Sequence, residues 1–212
     1  GGTGFKPDLI WAKARSIGYS GSLYDSVRGY GNHHLVPSTT EAENGGNHVY
    51  GGIASSSADG FTTFVGTDGG NPYANHNEDG KTYVAWNWDM GADTPTGFGC
   101  VTYNGNGGTQ DIGGVGFQPD LIWIKPRDRD DNNVLVDSIR GHDKTLYANT
   151  NNSEGTRSSN DGVTRFNPDG FGIGNWNNIN TNNIKHVAWC WDMGGTTATN
   201  TSGSINSQVR AN

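Results

Sequence analysis

The sequence is short of charged residues and of long apolar segments. Only 17% of the residues are charged, and an excess of acidic residues gives a net charge of -7 at pH 7. Proteins that bind nucleic acid present a basic surface, so this composition argues against that class of partner. A membrane-spanning helix needs about 20 mostly apolar residues in a row, and no such run is present, so no membrane insertion is predicted.

Disulfide frameworks, secretory signals and helical periodicity are also missing from the sequence. Two cysteines, Cys100 and Cys190, are too few for a disulfide scaffold, and we predict that both are free and buried. No secretory signal is visible. Because the first residue is glycine and not methionine, the chain is expected to be either processed or a piece of a longer polypeptide, and the second is favoured.

Aromatic residues and glycines are what the sequence has in abundance. It contains 34 glycines together with 7 Trp, 8 Tyr and 7 Phe. Disordered chains are poor in aromatic residues, so this chain is predicted to fold. Many short strands joined by turns rich in Gly and Asn are typical of all-β proteins, and we predict that class.

Four blocks of sequence occur twice in the same order, which indicates a tandem duplication. The spacing between matching blocks shortens along the chain, so the second copy has lost loop residues. We predict two antiparallel β-sandwich modules, residues 1–95 and 96–195, followed by a linker or extended tail at 196–212. The matching blocks are Gly4–Arg15 with Gly116–Arg127, Asp25–Gly29 with Asp137–Gly141, Asp59–Phe61 with Asp169–Phe171, and Val84–Gly91 with Val187–Gly194.

The first block is predicted to form a strand with two unlike faces. Alternation places Ile10, Ala12 and Ala14 on the core face, with Ile122 and Ile124 as their counterparts. The other face carries a tryptophan, a lysine and an arginine, which suits either a saccharide-binding surface or a sandwich edge with solvated cations. The edge interpretation is favoured, and the candidate ligand-binding residues on this face are Trp11, Lys13, Arg15, Trp123, Lys125 and Arg127.

The block Asp-Ser-Val/Ile-Arg-Gly repeats an aspartate and an arginine at a fixed separation. The pairs are Asp25 with Arg28 and Asp137 with Arg140. They could hold a charged or hydroxylated ligand, but a turn-locking ion pair is the favoured interpretation.

Five further tryptophans divide into two groups. Alternation with Val and Met predicts that Trp86, Trp88, Trp189 and Trp191 belong to the core. Trp176 lies in an Asn-rich loop without a counterpart in the first copy, and it is a candidate for ligand contact.

Catalysis, cofactors and metals have little support in the sequence. Three of the four repeated acids stand in turn contexts, and no nucleophile motif or phosphate-binding loop is present. The acidic run 127–132 offers oxygens for Ca²⁺ but lacks the spacing of a calcium loop. We predict a protein that is not an enzyme and that binds no cofactor or metal.

The order of the four blocks resembles an uncharacterised repeat module of bacteriophage tail-fibre-like and virion structural proteins. The resemblance covers nearly the whole chain, including the segments 97–107 and 202–212, which look like inter-module linkers. It implies a lectin-like or jelly-roll-like β-sandwich on a virus particle. It implies no catalytic or binding residues.

The resulting prediction is a non-enzymatic virion component, a tail or head fibre segment located on the virion or outside the cell. Its loops would attach to a host surface or pack against neighbouring virion proteins, and by analogy it would be homo-oligomeric, often trimeric. The alternatives are a carbohydrate-binding module that takes a host surface glycan and a polysaccharide-degrading enzyme.

Overall fold

Short antiparallel strands make up nearly all of the regular structure in the described chain. The computed structural model describes residues 2–43, 50–66, 76–91, 97–195, 198–202, 204 and 207–209. Within these ranges the helical structure is one short α-helix, α1 (Asn177–Asn180), beside sixteen strands. The all-β, antiparallel prediction is confirmed. Parts of the predicted loops, at 44–49 and 67–75, lie outside the described residues, as does much of the predicted tail.

Spatial clustering divides the chain into two units that largely follow the sequence repeat. Unit 1 contains Gly1–Asp89 together with Pro126–Asn133 and Ala148–Thr150. Unit 2 contains Met90–Lys125, Val134–Tyr147 and Asn151–Asn212. Two short segments of the second copy therefore belong to the first unit.

Unit 1 is built from a three-stranded and a two-stranded antiparallel sheet. Ile10, Ala12, Tyr24 and Ile53 form its buried cluster, so Ile10 and Ala12 lie on the core face that alternation predicted. The three-stranded sheet has the order β2 (Ser22–Asp25), β1 (Leu9–Ala14), β5 (Tyr83–Trp88), and the two-stranded sheet pairs β3 (Gly52–Ser57) with β4 (Gly60–Phe64).

Unit 2 is a larger sandwich of a six-stranded and a three-stranded sheet. The six-stranded sheet has the order β11 (Gly155–Thr156), β10 (Gly141–Tyr147), β9 (Val134–Asp137), β8 (Leu121–Pro126), β14 (Lys185–Trp191), β6 (Phe98–Asn104). The three-stranded sheet has the order β12 (Val163–Asn167), β13 (Gly170–Ile173), β7 (Gln110–Gly113). A separate hairpin pairs β15 (Ala198–Asn200) with β16 (Ser207–Val209).

Of the tryptophans of β5 and β14 that were predicted to lie in the core, Trp189 is fully buried, whereas Trp86 is largely exposed. Ala188 and Cys190 of β14 belong to the core cluster of unit 2, so Trp189 between them lies on the opposite face, although it is fully buried. In unit 1, Ala85 packs against the core, whereas Trp86 is 45% exposed. Both faces of these strands carry apolar residues, and the small ones face the second sheet.

Both cysteines are free and buried, as predicted. Complete burial raises the pKa of the Cys190 thiol above its usual range, which suppresses the reactive thiolate. We expect a disulfide-exchange reagent to label the native chain slowly and to label both thiols promptly in denaturant. Stopped-flow absorbance would measure the rates, and rapid labelling of the native protein would contradict this burial.

Within the described ranges, every helix falls short of the length and apolarity needed to cross a bilayer.

Candidate functional site

The repeated sequence blocks are held to one another by the same hydrogen bonds in both units. In unit 1, the Asp8 amide donates to the Trp88 carbonyl at 2.8 Å, and Ser26 donates from both its amide and its hydroxyl to Asp8. In unit 2, Asp120 makes the equivalent contacts with Trp191 and Ser138. The blocks therefore recur together because each one completes the hydrogen bonds of another.

The aspartate of each Asp-Gly-Phe turn binds a glycine turn at the start of its own copy. The Asp59 carboxylate accepts from the Gly4 amide at 2.7 Å. Asp169 accepts from the amides of Gly116 at 2.6 Å and Gly114 at 3.0 Å, and these hydrogen bonds hold the pKa of its carboxyl below the usual value. These exposed carboxylates have a backbone-capping role in the turn.

The Asp25–Arg28 pair is completely buried in unit 1. Arg28 Nε lies 2.5 Å from Asp25 Oδ2, and both side chains are inaccessible to solvent. The Arg28 guanidinium also donates to the carbonyls of Leu23 and His33. The equivalent Arg140–Asp137 pair has a similar distance of 2.6 Å but is partly exposed.

A glutamate that the sequence analysis did not single out completes each of these pairs. Arg28 Nη1 contacts Glu43 at 3.1 Å, and Arg140 Nη1 contacts Glu154 at 3.0 Å. Glu43 also accepts from Arg127 Nε at 2.7 Å, so the Arg127 side chain, a predicted ligand contact, is part of an internal ion-pair network. The two glutamates follow their arginines at nearly equal spacing, which is the sequence signal that would have revealed them.

Unit 1 has an open pocket of about 330 Å³ on the Trp11 face of β1. Trp11 forms part of its wall and packs against Trp86 at a centroid distance of 5.0 Å. The lysine predicted on this face also lines the pocket, and its ammonium donates to the Tyr19 carbonyl. The remaining lining residues with side chains are Tyr19, Ser20, Pro37 and Ser38.

Two loops that are distant in sequence form the walls of this pocket and are fixed by hydrogen bonds. The Tyr19 hydroxyl donates to Glu78 at 2.6 Å. Asn133, which belongs to unit 1, donates from its amide to the carbonyls of Pro37 at 2.9 Å and Thr39 at 3.2 Å. The pocket therefore has an aromatic wall, a cation and two serine hydroxyls, and hydrogen bonds hold its backbone in place.

The two residues of the second copy that correspond to Trp11 and Lys13 are more deeply buried. Trp123 is only 8% exposed, and Lys125 is fully buried, so the predicted ligand-binding role of these two side chains does not fit their burial. Gly21 of the pocket corresponds to the bulkier Asn133, and Tyr19 corresponds to Asp131. Arg15 is exposed but does not line the pocket. Of the six candidate ligand-binding residues predicted on this face, Trp11 and Lys13 line the pocket.

Trp176 is packed within unit 2 and does not stand free in its loop. Its side chain contacts the core cluster, and the Arg157 guanidinium lies over its ring at 3.7 Å. Arg157 also donates to the Tyr147 hydroxyl at 3.2 Å. One face of the indole is thus occupied by a cation–π contact, which favours a structural role over ligand stacking.

The acidic run of the second copy is engaged in internal hydrogen bonds. Asp130 accepts from the Ala42 amide at 2.9 Å, and Asp131 pairs with Arg129 at 2.5 Å. In the described ranges no cluster of three or more His, Cys, Asp or Glu side chains has a geometry that could hold a metal ion.

Comparison with known proteins gives one family. No curated protein and no solved structure matches the chain. The profile of a family described as a domain of unknown function, DUF7483, matches residues 1–97 and again residues 94–212. The two matches cover the whole chain and coincide with its two copies, and the chain therefore belongs to this family as a tandem pair of its domains.

Proposed function

We propose that this chain is a non-enzymatic attachment module that binds a saccharide through the Trp11–Lys13 pocket of unit 1. The observation that carries the proposal is the accessible tryptophan wall beside a lysine and two serine hydroxyls. An indole ring packs on the apolar face of a pyranose, while hydroxyl and ammonium groups hydrogen-bond to its hydroxyls. The shallow, open shape suits a unit of an extended surface polysaccharide.

The state of the repeated carboxylates supports binding without catalysis. Hydrolysis of a glycosidic bond needs two carboxyl groups that flank the substrate. Asp8, Asp25 and Asp59 instead accept hydrogen bonds from residues of their own unit, and none of them lines the pocket. Glu78 does not line the pocket either, and it accepts from the Tyr19 hydroxyl.

A virion or other particle surface is the setting we propose for this module. The tandem duplication, the acidic and Gly-rich composition and the resemblance of the four blocks to phage fibre repeats support it. In that setting the chain would bind a host glycan and contact other virion proteins. Labelling the protein on purified particles with an antibody would test the location, and its absence from every particle fraction would contradict it.

Binding to an array of bacterial surface polysaccharides and cell-surface glycans tests the proposed ligand class. We expect Trp11→Ala to abolish binding to any saccharide that the intact chain retains, because it removes the stacking surface. Lys13→Met should weaken binding by about tenfold, the effect of losing one charge-assisted hydrogen bond. Titration calorimetry with the best saccharide would measure both effects.

Two controls make this test specific. Lys6→Met removes an exposed lysine outside the pocket and should leave the affinity unchanged. A reducing-end assay on the same saccharide should detect no product with the intact chain. Binding that survives Trp11→Ala would refute the pocket assignment, and release of reducing ends would replace binding with hydrolysis.

A further inference from the structure

The pocket of unit 1 carries an unbalanced positive charge. Among the described residues that line it, none is acidic, and Lys13 is the one base. Lys13 is partly buried, and within the described ranges no carboxylate forms an ion pair with its ammonium group. A cation that is partly withdrawn from water loses solvation that a neighbouring anion would replace. An anion bound in the pocket would therefore compensate Lys13.

The missing ion pair sets Lys13 apart from most cations of the described chain. Acids outnumber bases in this sequence, so carboxylates are not scarce. Lys6 and Arg15 are exposed to water and need no partner. The cations that form ion pairs within the chain are Arg28, Lys81, Arg127, Arg129, Arg140, Lys144, Arg157 and Arg165. Lys13 thus combines partial burial with the absence of an acidic partner in the described ranges.

The ammonium group of Lys13 is held in place at the pocket wall. It donates to the Tyr19 carbonyl, and the Tyr19 hydroxyl donates to Glu78 at 2.6 Å. Gly21 lets the loop lie against the lysine stem, since a Cβ there would come within 3.4 Å of Lys13 Cδ and 3.0 Å of Trp11 Nε1. An ammonium group has three N–H donors. One is used for Tyr19, so in the described structure two are left for a ligand.

The loop that forms one wall of the pocket contains no acid, although its counterpart in the second copy is acidic. Residues 16–21 read Ser-Ile-Gly-Tyr-Ser-Gly, whereas residues 128–133 read Asp-Arg-Asp-Asp-Asn-Asn. Carboxylates in the pocket loop would repel an anion from Lys13. The first copy lacks them, so this loop leaves the charge of Lys13 available.

We propose that the saccharide bound by this pocket is acidic and that its acid group, a carboxylate or a phosphate, binds the Lys13 ammonium. This assignment rests on the proposed function, because it gives the charge of the ligand at the same site. The sugar ring packs on Trp11, and the hydroxyls of Ser20 and Ser38 hydrogen-bond to its polar groups. Charge-assisted hydrogen bonds are stronger than neutral ones, so the acid group supplies the discrimination between otherwise similar sugars.

Paired saccharides that differ only in the acid group test the charge of the ligand. The probes are polygalacturonate, hyaluronate and polysialate, each beside its carboxyl-reduced form, and a phosphomannan beside its dephosphorylated form. Titration calorimetry should show about tenfold tighter binding of at least one acidic member than of its neutral partner, the effect of one charge-assisted hydrogen bond. The carboxylate and phosphate pairs show which anion is bound. The preference should shrink between about 0.05 and 0.5 M salt, because ions screen the attraction.

Three variants locate the preference in the pocket. Lys13→Met should bring both members of the preferred pair to similar affinity, whereas Lys13→Arg should retain most of the preference because it keeps the charge. Arg15→Met removes an exposed cation outside the pocket and should leave the preference unchanged. Unchanged melting curves would show that the variants are folded.

The outcomes separate the charge of the ligand from saccharide binding itself. Equal affinity for both members of every pair, or a preference that survives Lys13→Met, would overturn the acidic ligand and leave saccharide binding in place. Binding of neutral saccharides alone would do the same. If the intact chain binds no saccharide of either kind, the proposed function fails, and the acidic ligand fails with it.

Discussion

Replacing Gly170 by alanine is expected to prevent unit 2 from folding normally. An alanine Cβ would lie 2.0 Å from the Ile112 carbonyl oxygen, and the φ of 142° is one that residues with a side chain rarely adopt. The obstacle is backbone in a neighbouring strand, which cannot rotate away. We expect a loss of about 4 kcal/mol or more in the free energy of unfolding. Urea denaturation followed by tryptophan fluorescence would measure it.

A second glycine separates the two causes of this effect. Gly116 also has a positive φ, of 89°, but a Cβ there would meet nothing within 4 Å. Gly116→Ala should therefore cost only the conformational strain, about 1 kcal/mol. Equal losses from the two variants would show that the contact with Ile112 contributes nothing.

Replacing Arg28 by methionine should produce the largest loss among the charged residues. The change leaves Asp25, fully buried, and Glu43, mostly buried, without their shared cation. Removing one partner of a buried ion pair typically costs about 3–5 kcal/mol, because the remaining charge is desolvated and uncompensated. Chemical denaturation of the variant, monitored by circular dichroism and fluorescence, would give the value.

The second copy supplies the matched control for this prediction. Arg140 makes the same contacts to Asp137 and Glu154, but water reaches all three side chains. Arg140→Met should cost about 1 kcal/mol, since exposed ion pairs contribute little. The Arg165–Asp111 pair is more exposed still, and Arg165→Met should leave stability nearly unchanged. A loss for Arg140→Met as large as that for Arg28→Met would contradict the role given to burial.

The repeat and the period-two pattern were sufficient to predict the fold class and the core faces of the first strand. Ile10, Ala12, Ile122 and Ile124 are buried as alternation predicted. The same pattern was right for Trp189, which is fully buried, and wrong for Trp86, which is 45% exposed. Alternation tells which residues share a face, and the packing of a second sheet decides which face becomes the core.

The sequence predicted only part of the pocket. Trp11 and Lys13 share a strand, so their proximity followed from spacing. Pro37 and Ser38 line the same pocket from a loop of the first copy. The residue that positions Pro37 is Asn133, which belongs to the second copy of the repeat. Long-range contacts of this kind depend on how the loops fold back, which local pattern does not encode. The burial of Lys125 was missed for the same reason.

The contacts of Glu43 and Asn133 have a consequence for how such proteins diversify. Glu43 accepts from Arg127, and Asn133 holds the backbone at Pro37 and Thr39, so unit 1 depends on a stretch encoded within the second copy. A recombination event at the repeat boundary would deliver an incomplete domain. We therefore expect the two copies to be inherited or exchanged together.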